Sequence, residues 1–131
     1  MPPFTSVFNE YVRHELGYKT DMPYEVLSME VNRNWEWGKA IEGMPDTAPD
    51  LRAAMVKNQY LKVLVMEGYY DLATPYFAST YTMNHMDLAD SYRKNISYAT
   101  YEAGHMVYMK QTELQKMKRD VVNFLDATLP R

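Results

Sequence analysis

The stretch LKVLVMEGYYDLATPYF, residues 61–77, decides the fold by where it divides. Leu61 to Met66 form a short apolar run rich in branched side chains, and Gly68 closes it. A run of that length without polar alternation suits a strand covered on both faces, the habit of parallel sheets, better than a helix. Thr74-Pro75 then opens a helix in cap-then-proline order, with Phe77, Ala78 and Tyr81 on one face as far as about His85. Between the two, Gly68-Tyr69-Tyr70-Asp71 leaves the carboxyl end of the strand as a loop.

Outward from this unit the alternation continues. Asp90 to Arg93 make one further turn, and Asn95 to Tyr101, rich in β-formers, read as a second strand ending at Ala103-Gly104. A last helix starts at Thr112, with Gln115 completing a capping box, and repeats Leu114, Met117, Val121, Phe124 and Leu125 until Pro130. Upstream, Thr47-Ala48-Pro49-Asp50 supplies a cap, a first-turn proline and an acidic residue, starting a helix to about Lys57. Helix, strand, helix, strand, helix from residue 47 onward calls for neighbouring parallel strands joined by a right-handed crossover. The fold class is α/β.

Residues 1–46 follow a different pattern. A helix opening at Thr5 or Ser6 places Phe8, Tyr11, Val12 and Leu16 on one face and stops at Gly17. From Tyr18 to Pro45 the sequence loses period, punctuated by Pro23, Gly38, Gly43 and Pro45, and reads as loop with one short helical turn. Trp35 and Trp37 are expected to pack this segment onto the sheet, the alternative being an aromatic wall for a substrate. The chain thus divides into a mostly helical or irregular segment, 1–46, and a strand-helix-strand-helix part, 47–131.

Composition narrows the function classes. The 131 residues are 47% apolar and 24% charged with a net charge of −3, and no face is basic enough to bind nucleic acid. The densest cluster, Lys116, Lys118 and Arg119, falls on the solvated side of the last helix, which also argues against a membrane surface. No apolar run approaches the ~18–20 residues that span a bilayer. Met1-Pro2-Pro3-Phe4 lacks the features of a secretory signal, so an exported parent would carry its signal upstream. Without cysteine there is no disulfide framework, thiolate metal site or cysteine nucleophile. His14, His85 and His105 are far apart, and His85-Met86-Asp87 lacks the two-histidine spacing of zinc hydrolases, so no metal site is expected. No cofactor is called for either, the eleven methionines reading as adaptable packing.

The chemistry gathers where both strands end, as it does in open parallel sheets. Asp71 follows the first strand and His105 the second, so neighbouring strands would deliver a carboxylate and an imidazole to one rim. A carboxylate bonded to one imidazole nitrogen fixes the tautomer and leaves the other nitrogen to take a proton from a hydroxyl. The bland alternative is that Asp71 caps the next helix and His105 satisfies a backbone carbonyl. GYYDLATP followed by YEAGHMVY resembles the final two strand-end motifs of the serine carboxypeptidase family of α/β-hydrolases, from about Tyr60 to the end of the chain. Residues 18–37 resemble, more loosely, the lid-side insertion of compact bacterial members.

That resemblance implies Asp71 as triad acid, His105 as general base and Met106 as lining a side-chain pocket for a peptide substrate. It also implies a C-terminal fragment of the hydrolase fold, holding its last two parallel strands with flanking helices. The nucleophile is missing: Ser6, Ser28, Ser79, Ser91 and Ser97 have no Gly-x-Ser-x-Gly setting, and only Ser6 and Ser28 precede Asp71. The isolated chain is therefore expected to be inactive, with the missing N-terminal part of the hydrolase domain as its partner. Homo-oligomerisation through an exposed sheet edge is expected as well. An esterase or acyltransferase fragment, or a non-catalytic interaction module, are the alternatives.

Overall fold

β1 (Val63–Gly68) and β2 (Ile96–Tyr101) pair in parallel, Val63 opposite Ile96 and Gly68 opposite Tyr101, in a computed structural model that describes residues 2–22, 24–38 and 45–129. Two units divide the chain, 1–45 and 46–131. The second unit is a mixed α/β fold with a two-stranded sheet. Its helices are α3 (Ala48–Lys57), α4 (Tyr76–His85), the single turn α5 (Asp90–Arg93) and α6 (Gln111–Thr128).

The period-2 alternation of the strands sorts the core onto two faces. One face carries Val63 and Ile96, packed with the buried Met55, Met86 and Leu88. The other carries Ala99 and Tyr101, packed with Ala103, Leu64, Val107 and Met117, the last of these from α6. Val63 N–H donates to the Asn95 carbonyl and Tyr69 N–H to that of Tyr101, both at 2.9 Å. Odd-numbered residues of β1 therefore face β2, and the amides of Leu64, Met66 and Gly68 point to the other edge. Among the described residues no third strand pairs there.

Several expectations are corrected. β1 begins two residues later than the apolar run and is only half covered, Met66 being 45% exposed, because a two-stranded sheet lacks the neighbours that bury a central strand. The face of Phe77 and Tyr81 on α4 is exposed, and the helix meets the core through Met83 instead. Thr47 makes no side-chain cap on α3; Asp46 Oδ1 accepts from Ala48 N–H at 3.0 Å in its place. α6 starts at Gln111 with no side-chain cap, so the Thr112–Gln115 box does not form.

The first unit holds α1 (Pro2–Glu10), continued by a wider helical turn over Tyr11–Glu15, and α2 (Met29–Asn34), whose Ser28 cap accepts from Val31 N–H at 3.4 Å. α1 starts ahead of the expected Thr5 or Ser6, because Pro2 and Pro3 fit a helix's first turn, where no N–H is needed. Phe8 stacks on Tyr24 at 4.1 Å between ring centres. No described residue of 3–38 is buried, and Trp35 and Trp37 are both exposed. Gly43 lies outside the described residues.

Candidate active site

The loop after β1 and the loop after β2 are fastened to each other by backbone. Tyr70 N–H donates to the Ala103 carbonyl at 3.0 Å, and Asp71 N–H turns back to that of Gly68 at 3.3 Å. Gly68 is required at this crossing: a Cβ there would stand 2.5 Å from the Gly104 carbonyl oxygen and 2.6 Å from that of Ala103. Both are backbone atoms, so the loops would have to part.

This arrangement brings together the two residues the sequence singles out. Asp71 Oδ2 lies 2.8 Å from His105 Nδ1. The carboxylate is buried, its side chain 7% exposed, whereas the imidazole is 64% exposed. Asp71 Oδ1 accepts from the N–H groups of Ala73 and Thr74, at 2.8 and 2.9 Å, and Oδ2 accepts from the Thr74 hydroxyl at 2.6 Å. The Thr74 hydroxyl and then its N–H hold the Asp71 carboxyl well below the usual carboxylate range, against the opposing effect of burial; His105 and the Ala73 amide add to the lowering. An ionised carboxylate only accepts, so His105 Nδ1 carries the proton of the shared bond. Nε2 has no hydrogen-bond partner among the described residues.

The bland alternative holds in part. Asp71 does satisfy local amides, but those of its own loop; α4 begins only at Tyr76 and receives no side-chain cap. Thr74, expected as that cap, donates its hydroxyl proton to Asp71 and makes no cap on α4. Met106 is half-exposed beside His105 on the same loop. His85 stacks on Tyr81 and Nδ1 lies 2.7 Å from its carbonyl, while His14 pairs loosely with Glu10 at 3.6 Å.

Two supporting residues escape the sequence reading. Glu113, buried at the start of α6, accepts from Glu102 N–H at 3.0 Å, and Lys110 Nζ donates to the Glu102 carbonyl at 2.9 Å. Both backbone groups of the first residue after β2 are thus held, by Glu113 of α6 and by Lys110 just ahead of it, three residues before His105. Glu67, also buried, sits one residue before Gly68; burial raises its carboxyl pKa, opposed by a hydrogen bond with Ser79, and Oε2 has no partner. Tyr101 is fully buried with the Lys116 ammonium 4.4 Å from its ring centre, and burial, followed by Asp120, pushes its phenol up to about 12.

Among the described residues no group of three or more acidic, histidine or cysteine side chains has metal-binding geometry, and no helix is long and apolar enough to cross a membrane. Comparison with protein-family models, curated proteins and solved structures finds no match.

Proposed function

We propose that the chain is the C-terminal part of a serine carboxypeptidase-like α/β-hydrolase, supplying the acid and base of a triad whose serine and oxyanion donors lie in polypeptide beyond this sequence. The observation that carries the reading is the 2.8 Å contact between the buried Asp71 carboxylate and the exposed His105 imidazole at the carboxyl ends of two adjacent parallel strands. In the reaction, His105 Nε2 takes the proton of the serine hydroxyl as it attacks the substrate carbonyl. The same nitrogen then returns it to the leaving amine, while Asp71 stabilises the imidazolium. Met106 would border the substrate side chain.

Uncovered apolar side chains of the second unit favour a piece of something larger. Apolar side chains such as Leu72 at 94%, Tyr70 at 65% and Phe77 at 63% exposure lie on the loop and helix that follow β1. The missing N-terminal part of the hydrolase domain would cover them.

The test is fluorophosphonate labelling of the product translated with the sequence upstream of Met1. Labelling abolished by His105→Ala is the expected result; undiminished labelling removes His105 from the role. The chain alone should neither label nor release the terminal residue of a blocked dipeptide, since a base without nucleophile or oxyanion donors contributes little.

A second reading, a stand-alone interaction module that self-associates, is favoured by one observation: the outward amides of Leu64, Met66 and Gly68 have no strand partner among the described residues. Hydrolytic labelling that needs His105 would exclude it.

A further inference from the structure

We propose that Thr74 is a positioning residue, whose hydroxyl orients Asp71 and selects the histidine tautomer in which Nδ1 carries the proton. This rests on the reading of His105 as a base.

The two oxygens of Asp71 are held differently. Oδ1 is held by the backbone amides of Ala73 and Thr74, which any sequence of that loop shape would offer. Oδ2, the oxygen that faces the imidazole, is held only by the Thr74 hydroxyl, at 2.6 Å, besides His105 itself. The side chain of residue 74 therefore controls the oxygen that matters for the pair.

The hydroxyl has a single proton. At 2.6 Å from a carboxylate oxygen, that proton is committed to Asp71. The same Thr74 oxygen lies 3.4 Å from His105 Nδ1, and what it turns toward the ring is a lone pair. Nδ1 is thus flanked by two acceptors, a carboxylate oxygen and a hydroxyl oxygen that has already donated. A bare nitrogen lone pair in that position would face repulsion from both sides, and a protonated one serves both. The consequence is an imidazole whose Nε2 is the unprotonated atom, the one a base needs, even though the ring is 64% exposed and packing does little to fix it.

The sequence form of this device is an aspartate followed three residues later by threonine ahead of proline, Asp71-Leu72-Ala73-Thr74-Pro75.

Nitrogen-15 NMR of the His105 side chain in the whole 131-residue chain tests the proposal without any catalysis. In the unprotonated ring, wild type should give distinct pyrrole-like Nδ1 and pyridine-like Nε2 shifts. Thr74→Val keeps the shape but loses the hydroxyl, and should move the two shifts toward each other as the tautomers mix. Thr74→Ala should do the same, and Thr74→Ser should restore the wild-type pattern. A wild-type spectrum in Thr74→Val and Thr74→Ala overturns the role of Thr74. Should valine disturb the loop, the alanine and serine variants decide, and a serine variant that mixes tautomers like alanine also overturns it. Asp71→Asn separates the two levels. If it leaves the His105 tautomer unchanged, the acid–base pair itself fails; if it changes the tautomer while the Thr74 variants do not, only the positioning role fails.

Discussion

Asp71 is the residue at which sequence and geometry meet most directly. Its folded-state carboxyl lies below the usual range, mainly through the Thr74 hydroxyl, so folding favours the ionised form. The stability this contributes is fully present above the unfolded-state value, about 3.9, and is lost as pH falls through the folded-state value. Asp71→Asn should therefore destabilise the chain at neutral pH, and the gap in urea midpoint between variant and wild type should begin to narrow as pH falls below about 4 and go on narrowing with further acid. A gap independent of pH would mean the carboxylate's charge is not what the loop holds. Glu67 works in the opposite direction. Burial raises its pKa against the weaker pull of Ser79, so the charged form costs stability as pH rises through the folded-state value. Glu67→Gln stays neutral at every pH, and its melting temperature should gain on that of wild type as pH rises above about 4, until the folded-state carboxyl is ionised. Parallel melting curves across that range would show the Oε2 carboxylate to be solvated rather than orphaned. The Asp71–His105 pairing is legible because each residue lies in the loop that follows a strand, and strand ends are set by local pattern. Thr74 and Glu67 were not, since one was assigned to helix capping and the other was simply the polar last step of an apolar run.

Among the elements, strands were easier to place than the packing of the helices between them. Branched residues over 63–66 and 96–101 give strands wherever they fall, and the parallel pairing follows from the intervening helix. Helix faces are decided by what exists to cover them. The Phe77 and Tyr81 face of α4 has the right spacing for a core, yet both rings are exposed, as half-covered β1 and solvent-facing Met66 would lead one to expect in the same unit. Helix starts differ for a related reason: Thr74 and Thr112 read as caps, but nearby Asp71 and Glu113 accept their hydroxyl protons, and ahead of α3 it is Asp46 that accepts from the Ala48 amide. Gly68 belongs to this scale, because it sets how closely the two strand-end loops approach. Gly68→Ala would push a methyl carbon against the carbonyl oxygens of Ala103 and Gly104. An overpacked contact of this kind costs about 1–3 kcal/mol, and it should appear as a lower urea midpoint together with a changed His105 imidazole spectrum. Wild-type stability in that variant would mean the loops separate freely, leaving the Asp71–His105 distance without a structural cause.

Within residues 46–131 the core is small against the apolar surface left open. Six apolar residues are buried among the described residues, while Tyr70, Leu72 and Phe77 of the same unit stay exposed. The two edges of the sheet are not equivalent in this respect. On β2 the outward carbonyl of Thr100 is taken by Lys116 Nζ at 3.1 Å, a charged side chain of the kind that blunts an edge. On β1 the outward amides belong to Leu64, Met66 and Gly68, with a half-exposed methionine between them. If the chain is made without the rest of a hydrolase domain, self-association should therefore run through β1, and sedimentation should give a dimer or larger at micromolar concentration. Proline distinguishes the edges of a strand, since it deletes one N–H and favours an extended residue before it. Met66→Pro removes an amide that points away from β2, so the monomer should keep its circular dichroism while association is lost. Val65→Pro removes an amide of the β1–β2 ladder and should unfold the sheet. A wild-type chain that stays monomeric, or a Met66→Pro variant that associates as tightly as wild type, would exclude β1 as the contact and leave the exposed rings after it as the surface that needs a partner.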